Sequence, residues 1–325
     1  MNIKPKILVV GSLVMDLIVS AQRFPNAGET VIGNGFSTAP GGKGANQAVQ
    51  AARLGADVTM VGKVGNDDFG KKLISSAAES GVNTQYIFIT DEAPTAVGNV
   101  QIQRNDAGTE NRIIVVPGAN NALTLDDVSF LKESISDYDI VILQQEIPQQ
   151  INCAVAGYAK AAGVPVMLNP APSAKISQEL ISYITYISPN EHEAEDIIGI
   201  KAETDDSVKR AIKTLHGMGV PNVIITLGKK GCIFSDRSDL ISSPSVDIAQ
   251  VADTTAAGDS FIGTFCTAVS AGIDVRNALI FANCAAGITV SKIGAQTSLP
   301  TFDEVMNVMN KKGYNTEPYV SWKGA

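Results

Sequence analysis

Two aspartates in the stretch VADTTAAGDS, at positions 251–260, enclose a run of residues with very small side chains. The segment FIGTFCTAVSAGI that follows is strongly apolar and is predicted to be a helix. Backbone N–H groups of small residues at a helix N-terminus form an anion site, because nothing shields the amides and the helix dipole favours negative charge. A carboxylate beside that site, at Asp259, suits a base that accepts a hydroxyl proton during phosphoryl transfer. A plain helix cap is the alternative for Asp259.

A second cluster of glycines lies in PGGKGANQAVQAARLG, at positions 40–55. The stretch lacks the G-x-x-x-x-G-K-[ST] pattern of a phosphate P-loop, since Lys43 is followed by Gly44, and it lacks a dinucleotide fingerprint. Glycines at such a turn let backbone amides and Asn46 come close to a small polar ligand. Turn geometry alone would explain the first two glycines, but it explains Lys43 and Asn46 poorly.

The elements that must position these residues alternate between short apolar strands and longer helical patterns. Strand-like runs include KILVV, DVTMVG, YDIVIL, VPVMLN, YITYIS and NVIITLG, and helices are predicted at about 43–54 and 67–79. Such alternation indicates βαβ units and a mostly parallel sheet with helices on both faces. Ligands of such sheets bind at the carboxyl ends of the strands, so the site is expected at that edge.

Two segments depart from this alternation. Residues 16–39 and 96–116 each have the pattern of strand, turn and strand, with Gly and Asn at the turns and no helix between the strands. No linker separates them from the rest of the chain, which favours a single α/β domain over residues 1–310 with a small β-sheet lid. The segment 311–325 lacks periodicity and is expected to be a loosely docked C-terminal tail.

Composition restricts the classes of function. The chain has 325 residues, 45% of them hydrophobic, and no apolar run of about 18 residues that would suggest a membrane span. A net charge of −8 and a pI near 4.9 argue against a nucleic-acid surface, because the basic residues do not cluster. The cysteines are far apart in apolar surroundings, which fits a reducing cytoplasm, and the histidines lack the spacing of metal ligands, which argues against zinc and Ser-His-Asp chemistry. These residues are Cys153, Cys232, Cys266, Cys284, His192 and His216.

With both motifs in view, the chain resembles the PfkB (ribokinase) family of carbohydrate and nucleoside kinases. GGKGAN and DTTAAGD are the two family signatures, which are specific when they occur together in this order, and the resemblance extends from ILVVGSLVMD to KIGAQTSLP. The resemblance implies a three-layer α/β/α ribokinase-like fold with a mostly parallel central sheet and a small β-sheet lid. It also implies that Asp259 is the catalytic base and that Ala256, Ala257 and Gly258 form the anion hole.

The resemblance further implies an ATP-dependent phosphotransferase with an alcohol group as acceptor, which phosphorylates D-ribose at O5 to give D-ribose 5-phosphate. A 2-deoxy-D-ribose kinase or a nucleoside kinase of the same family is the alternative. A non-catalytic sugar sensor on the same fold is disfavoured, since Asp259, Gly258 and Asn190 are all present.

Family members bind the sugar through carboxylates, amides and backbone groups that can be matched in this sequence. The matching residues are Asp16, Gly42, Lys43, Asn46, Glu146 and Asp259. Such groups suit the task because a sugar presents several hydroxyls that must be held in one register. Val14 departs from the pattern, because many family members that act on ribose carry Asn two residues before the sugar-binding Asp. An apolar residue there tolerates a missing hydroxyl, so Val14 is compatible with D-ribose and with 2-deoxyribose.

The resemblance places ATP, with Mg²⁺, on the later part of the chain. The matching residues are Asn190, Glu193, Thr226, Gly228, Gly258 and Asn283. Asn190 and Glu193 form the N-x-x-E pattern that the family links to magnesium and phosphate. The same pair is a good capping box, and both roles can hold at once because Mg²⁺ keeps several of its waters. For Asn283, a buried and hydrogen-bonded helical amide is the alternative.

A monovalent cation, K⁺, is implied by the segment SKIGAQTSLP, because the matching loop of the family binds the cation beside the anion hole. The ligands would be Asp253, Thr255, Thr289, Lys292, Gly294 and Ser298. Hard oxygens from two loops around K⁺ would fix the anion hole in place. An ordinary turn before Pro300 is the alternative for this loop.

The predicted lid strands also carry apolar residues at exposed edges, such as Ile18, Val31 and Ile102. Burial of such edges against a second subunit would protect them from water and from unspecific pairing. The sequence therefore predicts a homodimer built through the lids.

Overall fold

The structure is a computed structural model that describes residues 4–105, 108–247, 251–320 and 322. Thirteen strands are present in these residues. They are β1 (Lys6–Val10), β2 (Val14–Ala21), β3 (Gly35–Gly41), β4 (Asp57–Gly65), β5 (Val82–Thr90), β6 (Val97–Asn105), β7 (Gly108–Val116), β8 (Ile140–Gln144), β9 (Val166–Asn169), β10 (Tyr186–Ile187), β11 (Asn222–Thr226), β12 (Cys232–Ser235) and β13 (Leu240–Ser243).

Eleven α-helices lie in the same described residues. They are α1 (Lys43–Arg53), α2 (Asp68–Glu79), α3 (Leu125–Val128), α4 (Leu131–Ser134), α5 (Gln149–Ala162), α6 (Gln178–Tyr183), α7 (Glu191–Ile198), α8 (Asp205–Met218), α9 (Ala257–Ser270), α10 (Val275–Val290) and α11 (Phe302–Lys311). Short 3₁₀ helices occupy Gly118–Ala122, Ile135–Asp137, Gly228–Lys230, Gln296–Ser298 and Glu317–Tyr319. The two helices predicted near the N-terminus are confirmed as α1 and α2, each within one residue of its expected ends.

Nine of the described strands form a large sheet in the order β13-β12-β11-β10-β9-β8-β1-β4-β5. Within this order, the neighbouring strands β11, β10, β9, β8, β1, β4 and β5 pair in parallel. At the other end of the order, β12 pairs in antiparallel fashion with β11 and with β13. Strand β1 shows why the sheet is covered on both faces. Ile7 and Val9 point into one hydrophobic layer, Leu8 and Val10 point into the other, and all four are fully buried.

The two layers are built from different helices. Helices α1, α2, α9, α10 and α11 pack on the face of Ile7, and α3 to α8 pack on the face of Leu8. The predicted three-layer α/β/α arrangement with a mostly parallel sheet is therefore confirmed. The parallel strands all end at one edge of the sheet, and the connections leaving that edge carry both glycine motifs.

A second, four-stranded sheet has the order β3-β2-β6-β7 and corresponds to the predicted lid. Its strand β2 pairs in parallel with β6, and the other two pairs are antiparallel. The apolar residues expected at its exposed edges, Ile18, Val31 and Ile102, are partly buried. Phe36 and Ile114 are more exposed, with 70% and 63% of their surface accessible. The lid thus presents an apolar surface, but through other side chains than expected.

The expectation of a loosely docked C-terminal tail is wrong for its described part. Tyr319 and Trp322 are buried, and their rings lie 4.7 and 5.0 Å from the ring of Phe281 on α10. The Tyr319 hydroxyl donates a hydrogen bond to the Asn277 carbonyl at 2.9 Å. The buried residues of this segment are isolated aromatic residues, so the sequence contains no periodic pattern that would have predicted their burial.

Three further findings concern membrane-spanning helices, cysteine chemistry and metal clusters. Among the described helices, none is long and apolar enough to cross a membrane. The four cysteines are free thiols, and all but Cys153 are buried. Across the described ranges, no group of three or more His, Cys, Asp or Glu side chains could hold a metal ion.

Candidate active site

A cleft of about 180 Å³ opens at the carboxyl ends of β9, β10 and β11, beside the first turn of α9. Its lining combines residues that the sequence predicted for three different tasks. These residues are Lys43, Asn190, Glu193, Thr226, Ala256, Ala257, Gly258 and Asp259. The glycine turn before α1 and the small-residue turn before α9 therefore meet in one cleft, although more than 200 positions separate Lys43 from Asp259 in the sequence.

The first turn of α9 has the form of an anion site. Ala256 precedes the helix in the left-handed conformation, with φ 60° and ψ 8°, at a cost of about 1–2 kcal/mol for a residue with a Cβ. The N–H groups that follow, at Gly258 and Asp259, belong to the helix turn that has no intrahelical acceptors. A Cβ added at Gly258 would meet no atom within 4 Å, so the space beside its Cα is open, and both residues line the cleft.

The carboxylate of Asp259 is held by α1. Its Oδ2 accepts a hydrogen bond from Asn46 Nδ2 and its Oδ1 accepts one from Gln47 Nε2, each at 2.9 Å. The residue that caps α9 is Ala256, and Asp259 lies within the first turn with 6% of its surface exposed. A plain capping role therefore does not describe Asp259, because both of its oxygens are engaged by another helix.

Sequence reasoning missed Gln47. Lys43, Asn46, Gln47 and Gln50 follow the spacing i, i+3, i+4 and i+7, which puts four polar side chains on one side of an alanine-rich helix. Asn46, Gln47 and Gln50 are buried. A polar stripe on a helix that is otherwise small and apolar was the signal that could have found Gln47.

Lys43 lies among three carboxylates. Burial by itself would lower its pKa, but the charges of Asp259, Glu146 and Glu193 raise it, and the net pKa of Lys43 lies above its ordinary value. Lys43 is therefore a cation in the cleft that the first turn of α9 and the N-terminus of α7 also line. A cation at this point can neutralise negative charge that enters the cleft.

The predicted sugar residues converge behind Lys43. Glu146 follows β8, and its Oε2 accepts hydrogen bonds from the Lys43 backbone N–H, at 2.9 Å, and from the Ser12 hydroxyl. The Ser12 hydroxyl in turn accepts from the Gly44 backbone N–H at 3.2 Å. Gly42, which precedes α1 with φ 92°, completes this turn. Ser12 was not predicted, and it ties the end of β1 to the glycine turn.

Asp16 lies on β2 in the lid sheet, between two glycines. A Cβ added at Gly98 or at Gly41 would come within 2.3 and 2.5 Å of the Asp16 carboxylate oxygens, so only glycine leaves room beside this side chain. Burial, and then the charge of Glu146, raises the pKa of Asp16 from 3.8 to about 6. Within the described residues, neither oxygen accepts a hydrogen bond. A half-buried carboxylate without donors is prepared to accept the hydroxyl groups of a ligand.

Asn190 and Glu193 form the expected capping box at the start of α7. Asn190 Oδ1 accepts from the Glu193 N–H at 2.8 Å, and Glu193 Oε2 accepts from the Asn190 N–H at 2.9 Å. Burial raises the pKa of Glu193, and the Asn190 N–H and Lys43 offset this only in part. Glu193 thus lines the cleft with one carboxylate oxygen, Oε2, bound in the capping box, and within the described residues its Oε1 accepts no hydrogen bond.

The remaining residues predicted for the nucleotide are less closely grouped. Thr226 ends β11, bridges to Asn190 and lines the cleft. Gly228 begins the 3₁₀ turn that follows, outside the cleft lining. Asn283 is buried in α10 and donates from Nδ2 to the carbonyl and hydroxyl oxygens of Ser243, at 3.1 and 3.0 Å. Asn283 does not line the cleft, and its amide group has the hydrogen-bonded role named as the alternative.

Asp253 connects the two loops predicted to hold a monovalent cation. Its Oδ1 accepts from the Thr255 N–H and hydroxyl at 2.9 and 2.6 Å, and its Oδ2 accepts from the Gly294 N–H at 3.0 Å. The Thr289 carbonyl accepts from the Lys292 N–H at 3.1 Å, and the buried Ser298 hydroxyl donates to the Ala295 carbonyl at 2.7 Å. The Asp253 carboxylate therefore holds the two loops next to each other.

The fold and this cleft define a class of protein. The PfkB family of carbohydrate kinases matches residues 4–302, so this chain belongs to the PfkB family of carbohydrate kinases. Members of this class are phosphotransferases that act on an alcohol group of their substrate.

Individual relatives make the comparison sharper. The chain is 40% identical to ribokinase of Bacillus subtilis (strain 168) over 304 residues, which cover 94% of this chain and 99% of that protein. It is 32% identical to deoxyribokinase of Salmonella typhi over 299 residues, with 92% and 96% covered. The structure of Arabidopsis thaliana ribokinase complexed with ribose and ATP superposes with a TM-score of 0.87 at 35% identity, covering 94% of this chain and 99% of that one.

Proposed function

We propose that this chain is an ATP-dependent kinase that phosphorylates D-ribose at O5, giving D-ribose 5-phosphate. The observation that carries the proposal is the position of Asp259, which is bonded by Asn46 and Gln47 of α1 and lies in the first turn of α9, where Lys43 and Gly258 line the same cleft. A sugar hydroxyl and a phosphoryl group can therefore both reach this carboxylate. The chain is 35–40% identical to several ribokinases over more than 90% of its length, which supports ribose as the acceptor.

Asp259 is the proposed general base. The O5–H bond breaks and its proton passes to Asp259, while O5 forms a bond to the γ-phosphorus and the bond to the bridging oxygen of ADP breaks. Negative charge on the transferring group meets the free N–H group of Gly258, in the turn that the left-handed Ala256 and the following Ala257 shape, and it meets the ammonium group of Lys43. These donors are in place before the reaction, so no reorganisation is needed as charge develops.

The sugar pocket proposed for ribose is formed by Asp16, Gly42, Lys43, Asn46 and Glu146. The carboxylates of Asp16 and Glu146 would accept from sugar hydroxyls, and the buried Asn46 Oδ1, which has no partner among the described residues, would accept another. Donation by the sugar satisfies charges and lone pairs that are costly to bury unpaired. Strand β2 carries Asp16 from the lid, so closure of the lid would shield the reaction from water.

The nucleotide is proposed to lie along the ends of β10 and β11, with Asn190, Thr226 and Gly228 near its phosphates and Asn283 near its base. The residues present fit Mg²⁺, because Glu193 is a partly buried carboxylate in the cleft lining and lies beside the amide oxygen of Asn190. Glu193 and Asn190 would hold the ion through its waters. When bound, Mg²⁺ neutralises charge on the triphosphate.

We also propose a K⁺ site between the two loops that Asp253 connects. Its oxygen donors would be the Asp253 carboxylate, the Thr255 carbonyl, the Ser298 hydroxyl and carbonyls near Thr289, Lys292 and Gly294. A carboxylate with several carbonyls is the hard donor set that an alkali cation prefers. Thr255 immediately precedes Ala256, so a cation here would hold the turn that contains the anion site.

A second substrate, 2-deoxy-D-ribose, is favoured by one observation. Val14 lies on the same face of β2 as Asp16, and its Cγ1 is 3.7 Å from where a Cβ on Gly98 would be. An apolar group in this wall makes no hydrogen bond that a missing hydroxyl would leave unpaired. The 32% identity to a deoxyribokinase agrees with this alternative.

The lid is the proposed dimer interface, and the cytoplasm is the proposed compartment. Phe36, Ile113 and Ile114 expose more than half of their surface on the lid strands, an arrangement typical of subunit contacts. Four free thiols without a disulfide suit a reducing compartment. Light scattering at micromolar concentration tests the dimer, and a mass equal to one chain of 34.0 kDa would refute it.

The function is tested by ADP release from Mg-ATP with D-ribose, 2-deoxy-D-ribose, fructose 6-phosphate or adenosine, each in K⁺ and in Na⁺. We expect turnover with D-ribose that falls when Na⁺ replaces K⁺. Asp259→Asn is expected to lower kcat by roughly 10³-fold or more while calorimetry still detects ribose binding. Asp274→Asn is the matched control, since Asp274 caps α10 outside the cleft lining and asparagine caps equally well.

The outcomes separate the parts of the proposal. A preference for 2-deoxyribose would identify the enzyme as a 2-deoxy-D-ribose kinase and would leave the proposed mechanism unchanged. Turnover of Asp259→Asn near that of Asp274→Asn would refute the catalytic base. The absence of turnover with all four acceptors would refute the pentose kinase itself.

A further inference from the structure

Buried amide side chains hold the Asp259 carboxylate from behind the cleft. Gln47 Nε2 donates to Asp259 Oδ1 at 2.9 Å and to Asn169 Oδ1 at 3.1 Å. Gln144 Nε2 donates to Gln47 Oε1 at 2.8 Å, and the backbone carbonyl of Gln144 accepts from Asn152 Nδ2 at 2.7 Å. Gln47, Gln144 and Asn152 have no exposed surface. These contacts join α5, β8 and α1 to the carboxylate on α9.

The direction of each hydrogen bond follows from the chemistry of the groups. An ionised carboxylate only accepts, so the amide nitrogen of Gln47 faces Asp259 and its oxygen faces Gln144. Gln144 must then donate, which leaves its own oxygen buried without a partner in the described part of the chain. A Cβ added at Gly11 would lie 1.9 Å from that oxygen, so the Gln144 side chain is closely confined.

This arrangement costs stability. A buried carbonyl oxygen without a donor costs about 1–3 kcal/mol, and a pair of apolar side chains of similar shape would avoid that cost. Packing alone therefore does not explain two glutamines at this point. Their link to the proposed base does, because Gln47 bonds the reacting carboxylate and Gln144 holds the Gln47 amide by donating to its oxygen.

We propose that Gln47, oriented by Gln144, is a positioning residue for phosphoryl transfer that fixes the plane of the Asp259 carboxylate. The proposal rests on the proposed function, in which Asp259 takes the hydroxyl proton. Gln47 does not line the cleft, so it acts on substrates only through the two cleft residues that it bonds, Asp259 and Asn169. Its loss should therefore slow the chemical step and leave the binding of both substrates nearly unchanged.

Steady-state kinetics of Gln47→Met test this role, with Gln50→Met as the matched control. Gln50 lies one turn further along α1, is equally buried, and bonds the Pro300 carbonyl and the Ser260 hydroxyl, each at 3.1 Å. We expect Gln47→Met to lower kcat roughly 10- to 100-fold, with KM for ribose and ATP within about twofold of the unmodified enzyme. Gln50→Met should lower Tm by a similar amount and keep kcat within about twofold.

Gln144→Met and the double variant test the orienting step. Without Gln144, the Gln47 amide can rotate, so we expect kcat to fall by roughly 3- to 10-fold. The double variant should be no slower than Gln47→Met, because Gln144 acts only through Gln47. If the fold-loss of kcat in the double variant equals the product of the two single-variant losses, the proposal is overturned.

Other results would also overturn it. One is a folded Gln47→Met enzyme whose kcat stays within about twofold, or falls no more than that of Gln50→Met. If Gln47→Met fails to fold, an unchanged kcat in Gln144→Met has the same meaning. An unmodified enzyme that turns over no sugar would overturn the proposed function and this inference together, whereas an active enzyme with an unaffected Gln47→Met variant overturns the inference alone.

Discussion

The Asp16→Asn variant should be more stable than the unmodified protein while binding ribose more weakly. Burial and the charge of Glu146 raise the pKa of Asp16 from 3.8 to about 6. The folded protein therefore holds this proton more tightly than the unfolded chain does. The resulting contribution to stability is complete below pH 3.8 and is lost as the pH rises through about 6, so above that pH the ionised group disfavours folding.

The magnitude follows from the shift in pKa. A change of about two units corresponds to at most about 3 kcal/mol at pH 7.5. We expect Asp16→Asn to increase the free energy of unfolding by about 1–2 kcal/mol, because the asparagine amide also loses water on burial. Ribose should bind roughly 100-fold more weakly, since hydrogen bonds from sugar hydroxyls to a charged acceptor are replaced by weaker ones.

Urea unfolding between pH 5 and pH 8 measures the first effect, and calorimetric titration with ribose measures the second. The difference in stability between the two proteins should grow up to about pH 6 and then level off, and ribose affinity of the unmodified protein should fall below about pH 6. Asp57→Asn, at an exposed aspartate that begins β4, should change stability by no more than about 0.5 kcal/mol. A pH-independent difference, or unchanged ribose affinity, would refute the assignment of Asp16.

Three further predictions concern specificity, the cation and the tail. Val14→Asn should shift kcat/KM in favour of ribose over 2-deoxyribose by roughly 10-fold, because the new amide pairs with the 2-hydroxyl and lacks a partner when it is missing; an unchanged ratio in competition assays would count against Val14 as a specificity residue. Asp253→Ala should remove most of the difference in rate between K⁺ and Na⁺, and a retained difference would place the cation elsewhere. Trp322→Ala should lower the free energy of unfolding by roughly 3–5 kcal/mol in urea denaturation followed by circular dichroism, and a loss below about 1 kcal/mol would show that the tail contributes little.

Local features of the sequence determined much of the fold and the anion site. The apolar run ILVV of β1 predicted a strand buried on both faces, and the small residues between Asp253 and Asp259 predicted a helix N-terminus with accessible amides. Helices α1 and α2 were placed within one residue of their ends. All of these depend on neighbours within a few residues along the chain, where periodicity, capping and side-chain size act directly.

Tertiary structure decided which polar side chains meet. Asp259 is bonded by Asn46 and Gln47 from α1, and Glu146 is bonded by the backbone N–H of Lys43. The order of strands in the sheet and the packing of α1 on α9 create these contacts, and no local pattern encodes them. For the same reason the sequence found Asn46 through its motif and missed Gln47, whose only sign was a polar position on a buried helix.

The C-terminal segment shows the same division. Tyr319 and Trp322 have no periodic neighbours, so their burial depended on a surface formed elsewhere, at Phe281 and Phe302. The sequence by itself therefore determined the elements, the class of fold and the groups able to do chemistry. Only the folded chain decided which of those groups touch. The periodicity of apolar residues is a local property of the sequence, whereas contacts between elements depend on how the whole sheet and its helices pack.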